Sequence, residues 1–336
     1  MKKNQFVALL LCSIFIVSIA GTYYFAGDTV PHSKKAADSG NDVRVVASFY
    51  PVYIAAMNLL DGVEGVKLFN LSEPNTGCLH DYELTPGDMK LLDSADIFVI
   101  NGGGLEPFTE DVEKIDGLKV IDSSEGLIDD EDHDEGRHDD AGDEHEHDEA
   151  DSEHEHGHHH DHGVNAHLWM SPTLYRGQTE NMARRLKACL PKKEQRDRID
   201  KNLEAYVRQI DGLIKSEDSL KKDFMGEKVI IFHEAYEYLA DELGMEISFL
   251  LDLDEEREVS ANEIKSVLDS VTEGGAGMIL AEENYGRRTA EAIKKEAEVS
   301  VLYLDVINRG EGDNAYSKDS YIRRMDKNLR LLKEAK

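Results

Sequence analysis

Basic residues are scarce: 38 Lys and Arg stand against 69 Asp and Glu, for a formal net charge of −31. That balance argues against nucleic acid as a partner, because holding phosphates needs a basic face. It suits attraction of cations instead. Proline is sparse too, at seven in 336 residues, which argues against a Pro-rich linker protein. Cysteine is limited to Cys12, Cys78 and Cys189. Outside the cytoplasm Cys78 and Cys189 could pair, or both could be buried thiols, and their spacing decides neither. What the chain does have is enough apolar residue, 40%, to bury a sizeable core, and a length suited to about two domains.

The charge is unevenly spread. Residues 129–163 hold seventeen Asp and Glu, ten His and one Arg, a net −16, so the rest of the chain carries only −15. Within that tract His145, His147, His154, His156, His158, His159, His160 and His162 alternate with carboxylates or follow one another directly. Such a segment cannot bury a core and is expected to be disordered. Its composition suits weak, exchanging binding of several metal ions, set against a solvated acidic loop that binds metal adventitiously. At the other extreme, Lys2 and Lys3 precede an apolar run from Phe6 to about Ala26. This reads as a secretory signal with Ser18-Ile19-Ala20 as a cleavage site, or, uncut, as a membrane anchor. Leu11 makes lipidation at Cys12 a poor expectation. Either reading puts the body outside the cytoplasm, behind a polar tether at 28–42.

Short apolar strands alternate with helical stretches from Val43 onward. Strands are predicted at Val43–Ala47, Val66–Leu71, Ile97–Ile100 and Leu118–Ile121. Helices are predicted from Pro51 to Leu60, from Pro86 to Asp93 behind a Thr85 cap, and from Glu106 to Ile115. After the tract, Ser171-Pro172 opens a helix to Leu190. Lys193 to Phe224 contains no proline and shows Leu203, Tyr206, Val207, Ile210, Leu213 and Ile214 at three- and four-residue steps, the helical period. The alternation then restarts with strands at Val229–Phe232, Glu246–Leu250, Met278–Leu280 and Val299–Leu304. Helices are predicted at Ala235–Leu243, after the Ser260/Glu263 capping box, at Arg287–Ala297 and from Asn314 to Lys333. The expected fold is α/β: two similar lobes, each a mostly parallel sheet flanked by helices, joined by one long helix. The lobes span 43–191 and 225–336, with the helix at 192–224.

Outside the tract only four histidines remain: His32 in the tether, and His80, His167 and His233. His80 follows the second strand, His167 stands just before Ser171-Pro172, and His233 comes straight after a strand. Asp305 ends the last strand. Ligands of open α/β sheets bind at the carboxyl ends of strands. If both lobes aim those ends at one cleft, three imidazoles and one carboxylate converge, a donor set matching tetrahedral zinc. Manganese and magnesium favour oxygen-rich shells, while nickel and copper remain compatible with imidazole. A secreted zinc hydrolase is the main rival, but His233-Glu234 is followed by Ala235, Tyr236 and Glu237 rather than by a second His at the spacing of helical zinc proteases. Glu234 would then be the only nearby base. A metal-storage or adhesion protein is a third reading, with its affinity in the tract. Release of metal is expected as pH falls through the ordinary histidine range, near 6.5.

Four segments carry a resemblance: Val46-Ala47-Ser48-Phe49-Tyr50-Pro51, Gly77-Cys78-Leu79-His80-Asp81-Tyr82-Glu83-Leu84-Thr85-Pro86, Asn165-Ala166-His167-Leu168-Trp169-Met170-Ser171-Pro172 and Phe232-His233-Glu234-Ala235-Tyr236. They resemble the zinc/manganese substrate-binding proteins of ABC transporters, from about Val43 to the C-terminus, and the tract resembles the His-rich loop of the zinc subgroup. The resemblance implies two α/β lobes on a rigid helix, zinc carried in the cleft, an ABC permease and its ATPase as partners, and a monomer without enzymatic activity. It maps the metal ligands onto His80, His167, His233 and Asp305. Manganese members are expected to carry Glu at the third place, so His233 points to zinc. Some zinc members have Glu just before the first His. Here that residue is Leu79, which leaves Asp305 or water as the fourth ligand.

Overall fold

Eight short strands rich in Val and Ile sort into two sheets of four. The computed structural model describes residues 42–72, 76, 77, 79, 80, 82–128, 164–253, 257–310 and 316–336. The expected signal or anchor, the tether, the histidine-rich tract and Cys78 with its pairing to Cys189 all lie outside the described residues. Among those described, no helix is long and apolar enough to cross a membrane.

The first sheet contains β1 (Val43–Ala47), β2 (Val66–Asn70), β3 (Ile97–Ile100) and β4 (Lys119–Asp122), in the order β2-β1-β3-β4. The second repeats the plan with β5 (Lys228–Ile231), β6 (Glu246–Leu250), β7 (Met278–Ala281) and β8 (Ser300–Tyr303), in the order β6-β5-β7-β8. Every pairing is parallel. Parallel strands need both faces covered, and the central strands are accordingly largely apolar, as in Ile97-Phe98-Val99-Ile100, buried at all four positions. In each sheet the strand order reverses beside the first strand of the lobe, which opens a crevice at its carboxyl end.

Helices cover the sheets. They are α1 (Tyr50–Leu59), α2 (Pro86–Leu92), the single turn α3 (Thr109–Val112), α4 (Pro172–Cys189), α5 (Lys193–Phe224), α6 (Glu237–Glu242), α7 (Ala261–Thr272), α8 (Arg287–Glu296) and α9 (Ser320–Glu334). The expected caps form. Thr85 and Asp88 make a reciprocal capping box at α2, Ser260 and Glu263 make one at α7, and the Ser171 hydroxyl accepts from Leu174 N at 2.9 Å at the start of α4. Three helices are shorter than predicted. One is α6, which covers only Glu237–Glu242 of the expected Ala235–Leu243 and follows a 3-10 turn at Glu234–Tyr236. The Glu106 carboxylate turns inward to accept from Asn101 N at 2.7 Å and Gly102 N at 3.2 Å, so helix begins only at Thr109. Near the C-terminus the Ser317 hydroxyl bonds Asp319, a local arrangement that competes with helix, and α9 starts at Ser320 rather than Asn314.

The 32 residues of α5 make a rod about 48 Å long. Its buried stripe runs Ile199, Tyr206, Ile210, Leu213, Glu217, Leu220 and Phe224. Glu217 is driven up toward neutrality by burial and by Glu242 of α6, and Glu242 in turn accepts from the Ser171 hydroxyl at the head of α4. Further bonds cross between lobes. Trp169 Nε1 donates to Val306 O at 2.7 Å, Tyr321 OH donates to Trp169 O at 2.8 Å, and the Tyr50 and Ser320 hydroxyls meet at 2.7 Å. Tyr175 of α4 stacks on Tyr321 of α9 with ring centroids 3.7 Å apart. One apolar core runs continuously from β1 through α4 and α5 to β7 and α9, with a smaller core on the far side of the second sheet. The lobes are therefore welded rather than hinged.

Gly102 marks where this framework is least forgiving. It has φ +84°, and a Cβ there would come within 1.9 Å of Asp122 Oδ1. Gly102→Ala is expected to lower the unfolding free energy by about 2–4 kcal/mol, from backbone strain plus overpacking, as read by urea denaturation. A loss below about 0.5 kcal/mol, the size of a bland surface change, would contradict this account.

Candidate metal centre

His233 leaves the end of β5 in extended conformation (φ −159°, ψ 135°), and the chain then turns sharply through Glu234–Tyr236. The neighbouring Phe232 amide still bonds Leu280 O at 2.9 Å, so the sheet fixes where the imidazole starts. His233 is 1% exposed, and neither ring nitrogen has a hydrogen-bond partner among the described residues. His167 reaches the same place from the other lobe. Asn101 Nδ2 holds the preceding carbonyl, Ala166 O, at 2.8 Å, and the Leu168–Met170 turn carries Trp169 into the core. His167 is fully buried, with its ring centroid 4.9 Å from His233 and 5.2 Å from His80. His80 sits on the loop after β2. Leu79, which cannot ligate, is instead buried in the core and closes a turn through Tyr82 N to Leu79 O at 3.0 Å. The His80 side chain is 34% exposed, and among the described residues its Nε2 has no hydrogen-bond partner. Three histidines distant in sequence thus stand side by side.

Two carboxylates differ from expectation. Asp305 follows β8 as predicted, but its oxygens face α9. Arg324 donates to both, Nε to Oδ2 at 2.5 Å and Nη2 to Oδ1 at 2.5 Å, and Ile307 N adds a bond to Oδ1 at 2.9 Å. The Asp305 carboxylate is thereby committed to a buried guanidinium. The carboxylate beside the imidazoles is that of Glu234, with Oε1 3.4 Å from His167 Nδ1 and 3.8 Å from His80 Nε2. Donor atoms of His80, His167 and Glu234 all lie within 4.8 Å of one another. Tetrahedral zinc needs its donors about 3.4 Å apart, so a small contraction suffices. The sequence weighed Glu234 only as a hydrolytic base whose side chain could point away. The extended His233 followed by a tight turn, which sends both side chains to one side, was not legible from residue types.

The four donors meet water unequally. A cavity of 640 Å³ adjoins His80 and Glu234 and is lined further by Gly103, Gly104, Asp122, Ser124 and Glu125. Ile128 and Val164, the residues flanking the histidine-rich tract, also line it. His80 and Glu234 form the outer wall, while His167 and His233 are sealed beneath. Below the glycines, burial and the nearby Asp122 raise the Glu106 carboxyl to about 7. The chamber is thus acidic at its mouth and rich in imidazole at its base.

Burial, with His233 and His80 beside it, holds the His167 pKa well below the ordinary 6.5. Burial and the nearby His80 bring His233 down to about 3. These two imidazoles stay neutral well into the acid range, so their readiness to bind metal does not fade near pH 6.5 as the sequence suggested. In the unfolded chain each gains a proton near 6.5. Between those values the unfolded state binds more protons, so their contribution to stability is full above about 6.5 and is lost as pH falls toward the folded values. Each contributes a slope of about 1.4 kcal/mol per pH unit in that window. Urea unfolding of chelator-stripped protein between about pH 7 and pH 5 should show this slope. His233→Asn should remove one imidazole's share of it, and an unchanged slope would refute the assignment.

Comparison with known proteins bears on this geometry. The family described as zinc-uptake complex component A, periplasmic (ZnuA), matches residues 45–335. The chain is 28% identical over 310 residues to the high-affinity zinc uptake system protein ZnuA of Bacillus subtilis, covering 90% of this chain and 91% of that protein. It is 25% identical over 342 residues to the zinc-binding lipoprotein AdcA of Streptococcus pneumoniae, covering 99% of this chain but only 61% of AdcA. The chain therefore spans about three fifths of AdcA's length. The crystal structure of Zn(II)-bound AdcA from Streptococcus pneumoniae superposes with a TM-score of 0.67 at 22% identity, over 87% of this chain and 57% of that one, which is a likeness of fold. With two parallel α/β lobes, a match across nearly all of the described fold and three histidines gathered between the lobes, the chain belongs to the ZnuA family of periplasmic zinc-uptake components.

Proposed function

We propose that this protein is an extracytoplasmic receptor that captures zinc between its lobes and delivers it to an ABC permease and its ATPase. The observation that carries the reading is His233. A buried imidazole with two unbonded ring nitrogens is costly unless a ligand takes one of them, and a cation held jointly with His167 and His80 does so. Three nitrogen donors favour zinc over manganese. The names of the related proteins, ZnuA and AdcA, support the same cargo. Lipoprotein and periplasmic relatives support a location outside the cytoplasm.

In this reading an ion enters through the acidic chamber, meets His80 and Glu234, and settles onto His167 and His233. Those two are neutral beforehand, so the ion need not displace protons from them. The carboxylate of Glu234 fills the fourth position by a rotation of its half-exposed side chain. Asp305 would have to leave Arg324 to compete. The continuous core and cross-lobe bonds oppose a hinge, so capture proceeds through local movement of the His80 and Glu234 segments. The histidine-rich tract, whose flanking residues line the chamber, adds weak sites that raise the local concentration of metal. The protein acts as a binder, not a hydrolase, and its buried ligands enclose the ion rather than offer it to a substrate.

Calorimetric zinc titration tests the ligand set. His167→Ala and His233→Ala should each weaken the tightest site by about 100-fold or more, roughly 2.7 kcal/mol. Glu234→Gln should weaken it more than Asp305→Asn does, and the reverse order would move the fourth ligand to Asp305. Removal of residues 129–163 should lower the number of ions bound and keep the tight site. Loss of that site on deletion would favour a storage protein.

A further inference from the structure

Asn165 stands two residues before His167, and its side-chain amide is used completely. Nδ2 donates to Glu234 O at 3.0 Å and to Glu237 Oε2 at 2.8 Å. Both partners are pure acceptors, a backbone carbonyl and a carboxylate, so the nitrogen of the amide must face them and the oxygen must face the other way. That oxygen accepts from His167 N at 2.9 Å and lies 3.0 Å from His167 Nδ1. An amide oxygen has no proton to give, so a hydrogen bond there requires the proton on Nδ1. The second group near this nitrogen, Glu234 Oε1 at 3.4 Å, is also an acceptor and selects the same form. The lone pair of the ring then lies on Nε2. The backbone of Asn165 is held as well, by the Tyr238 hydroxyl donating to its carbonyl at 2.6 Å.

We propose that Asn165 is a positioning residue for metal capture, which presets the Nδ1–H tautomer of His167 and locks the segment bearing His167 to the segment bearing His233 and Glu234. The inference rests on the zinc-receptor reading and deepens it. Metal-ligating imidazoles commonly give their second N–H to an oxygen acceptor, which fixes the ring and raises its basicity. What is particular here is that one amide reads both lobes. Its oxygen sets a ligand of the first lobe, and its nitrogen fixes the backbone just after a ligand of the second. The loop 164–167 is gripped from its other side by Asn101, itself bonded by Gln178 Nε2 at 2.9 Å, so a short chain of amides joins the buried Leu168–Met170 turn in setting His167.

The test uses the full chain, stripped of metal and labelled with nitrogen-15 at histidine. The His167 ring signals are assigned by their loss in His167→Gln. In wild type the proton-bearing nitrogen should be Nδ1, and in Asn165→Ala the two tautomers should mix. Zinc titration of Asn165→Ala should show the tight site weakened about 10- to 100-fold, with the far-ultraviolet dichroism of the wild type retained. Should that variant fail to fold, a compensated pair decides. Asn165→Asp keeps the acceptor toward Nδ1 but sets a carboxylate against Glu237, and adding Glu237→Gln supplies a donor in its place. Affinity should fall in Asn165→Asp, whose carboxylate faces the two acceptors Glu237 Oε2 and Glu234 O, and should recover in part in the double variant, which relieves the first of them, with the proton on Nδ1 in both. A wild-type His167 carrying its proton on Nε2 would overturn the proposal, as would wild-type zinc affinity in Asn165→Ala or no recovery in the double variant. If His167→Ala and His233→Ala also bind zinc like wild type, the receptor reading fails. If they lose zinc and Asn165→Ala does not, only the role of Asn165 falls.

Discussion

Two ring nitrogens of His233 are shut away from water with no hydrogen-bond partner among the described residues, and an imidazole left this way costs about 1–3 kcal/mol for each stranded group. A fold keeps such a residue only if something supplies the missing partner. Most features of the cleft follow from that requirement. Burial holds the ring neutral, and in the proposed reading the ion that satisfies it is one that accepts nitrogen donors. Further donors must stand close enough to share the ion, and His167 and His80 do so from the opposite lobe and from a loop open to solvent. An acidic, glycine-lined chamber outside them attracts cations without binding them tightly, because its carboxylates already have other work. Asp122 accepts from the Ser124 amide at 2.7 Å, and Glu125 pairs with Arg185.

Rigidity is the second condition. Donors contributed by two lobes coincide only if the lobes keep their spacing, and the welding of this molecule is unusually direct. The long α5 lies along both lobes, while α9 returns from the second to pack its Tyr321 against Tyr175 and Trp169 of the first. A single apolar core passes beneath the cleft. The buried carboxyl pair of Glu217 and Glu242 adds a polar tie in the same region, joined to Ser171 at the head of α4. A preorganised site loses little entropy on binding, and the more exposed part of the cleft is its outer wall, the side chains of His80 and Glu234.

Much of this was written locally. Alternating apolar strands and capped helices made two α/β lobes and a central rod readable, because strand burial and helix periodicity are short-range patterns. Capping residues such as Thr85, Ser171 and Ser260 act on their own helix and were found where they were expected. Errors came where a side chain deserted its local role. Glu106 was expected to begin a helix and instead turned inward to bond Asn101 and Gly102, and Ser317 with Asp319 delayed α9.

Residue types and their spacing alone determined the fold class and the three histidines worth following. These depend on composition and on neighbours within a few positions. Only the tertiary structure decided which carboxylate stands beside those histidines. Asp305 and Glu234 are both carboxylates a few residues past a strand, but Arg324, nineteen residues beyond Asp305, claims one of them, while a tight turn after His233 delivers the other. The orientation of the Asn165 amide beside His167 likewise depends on acceptors 69 and 72 residues away along the chain, which no local pattern could reveal. Long-range contacts of this kind form only when the whole chain has packed.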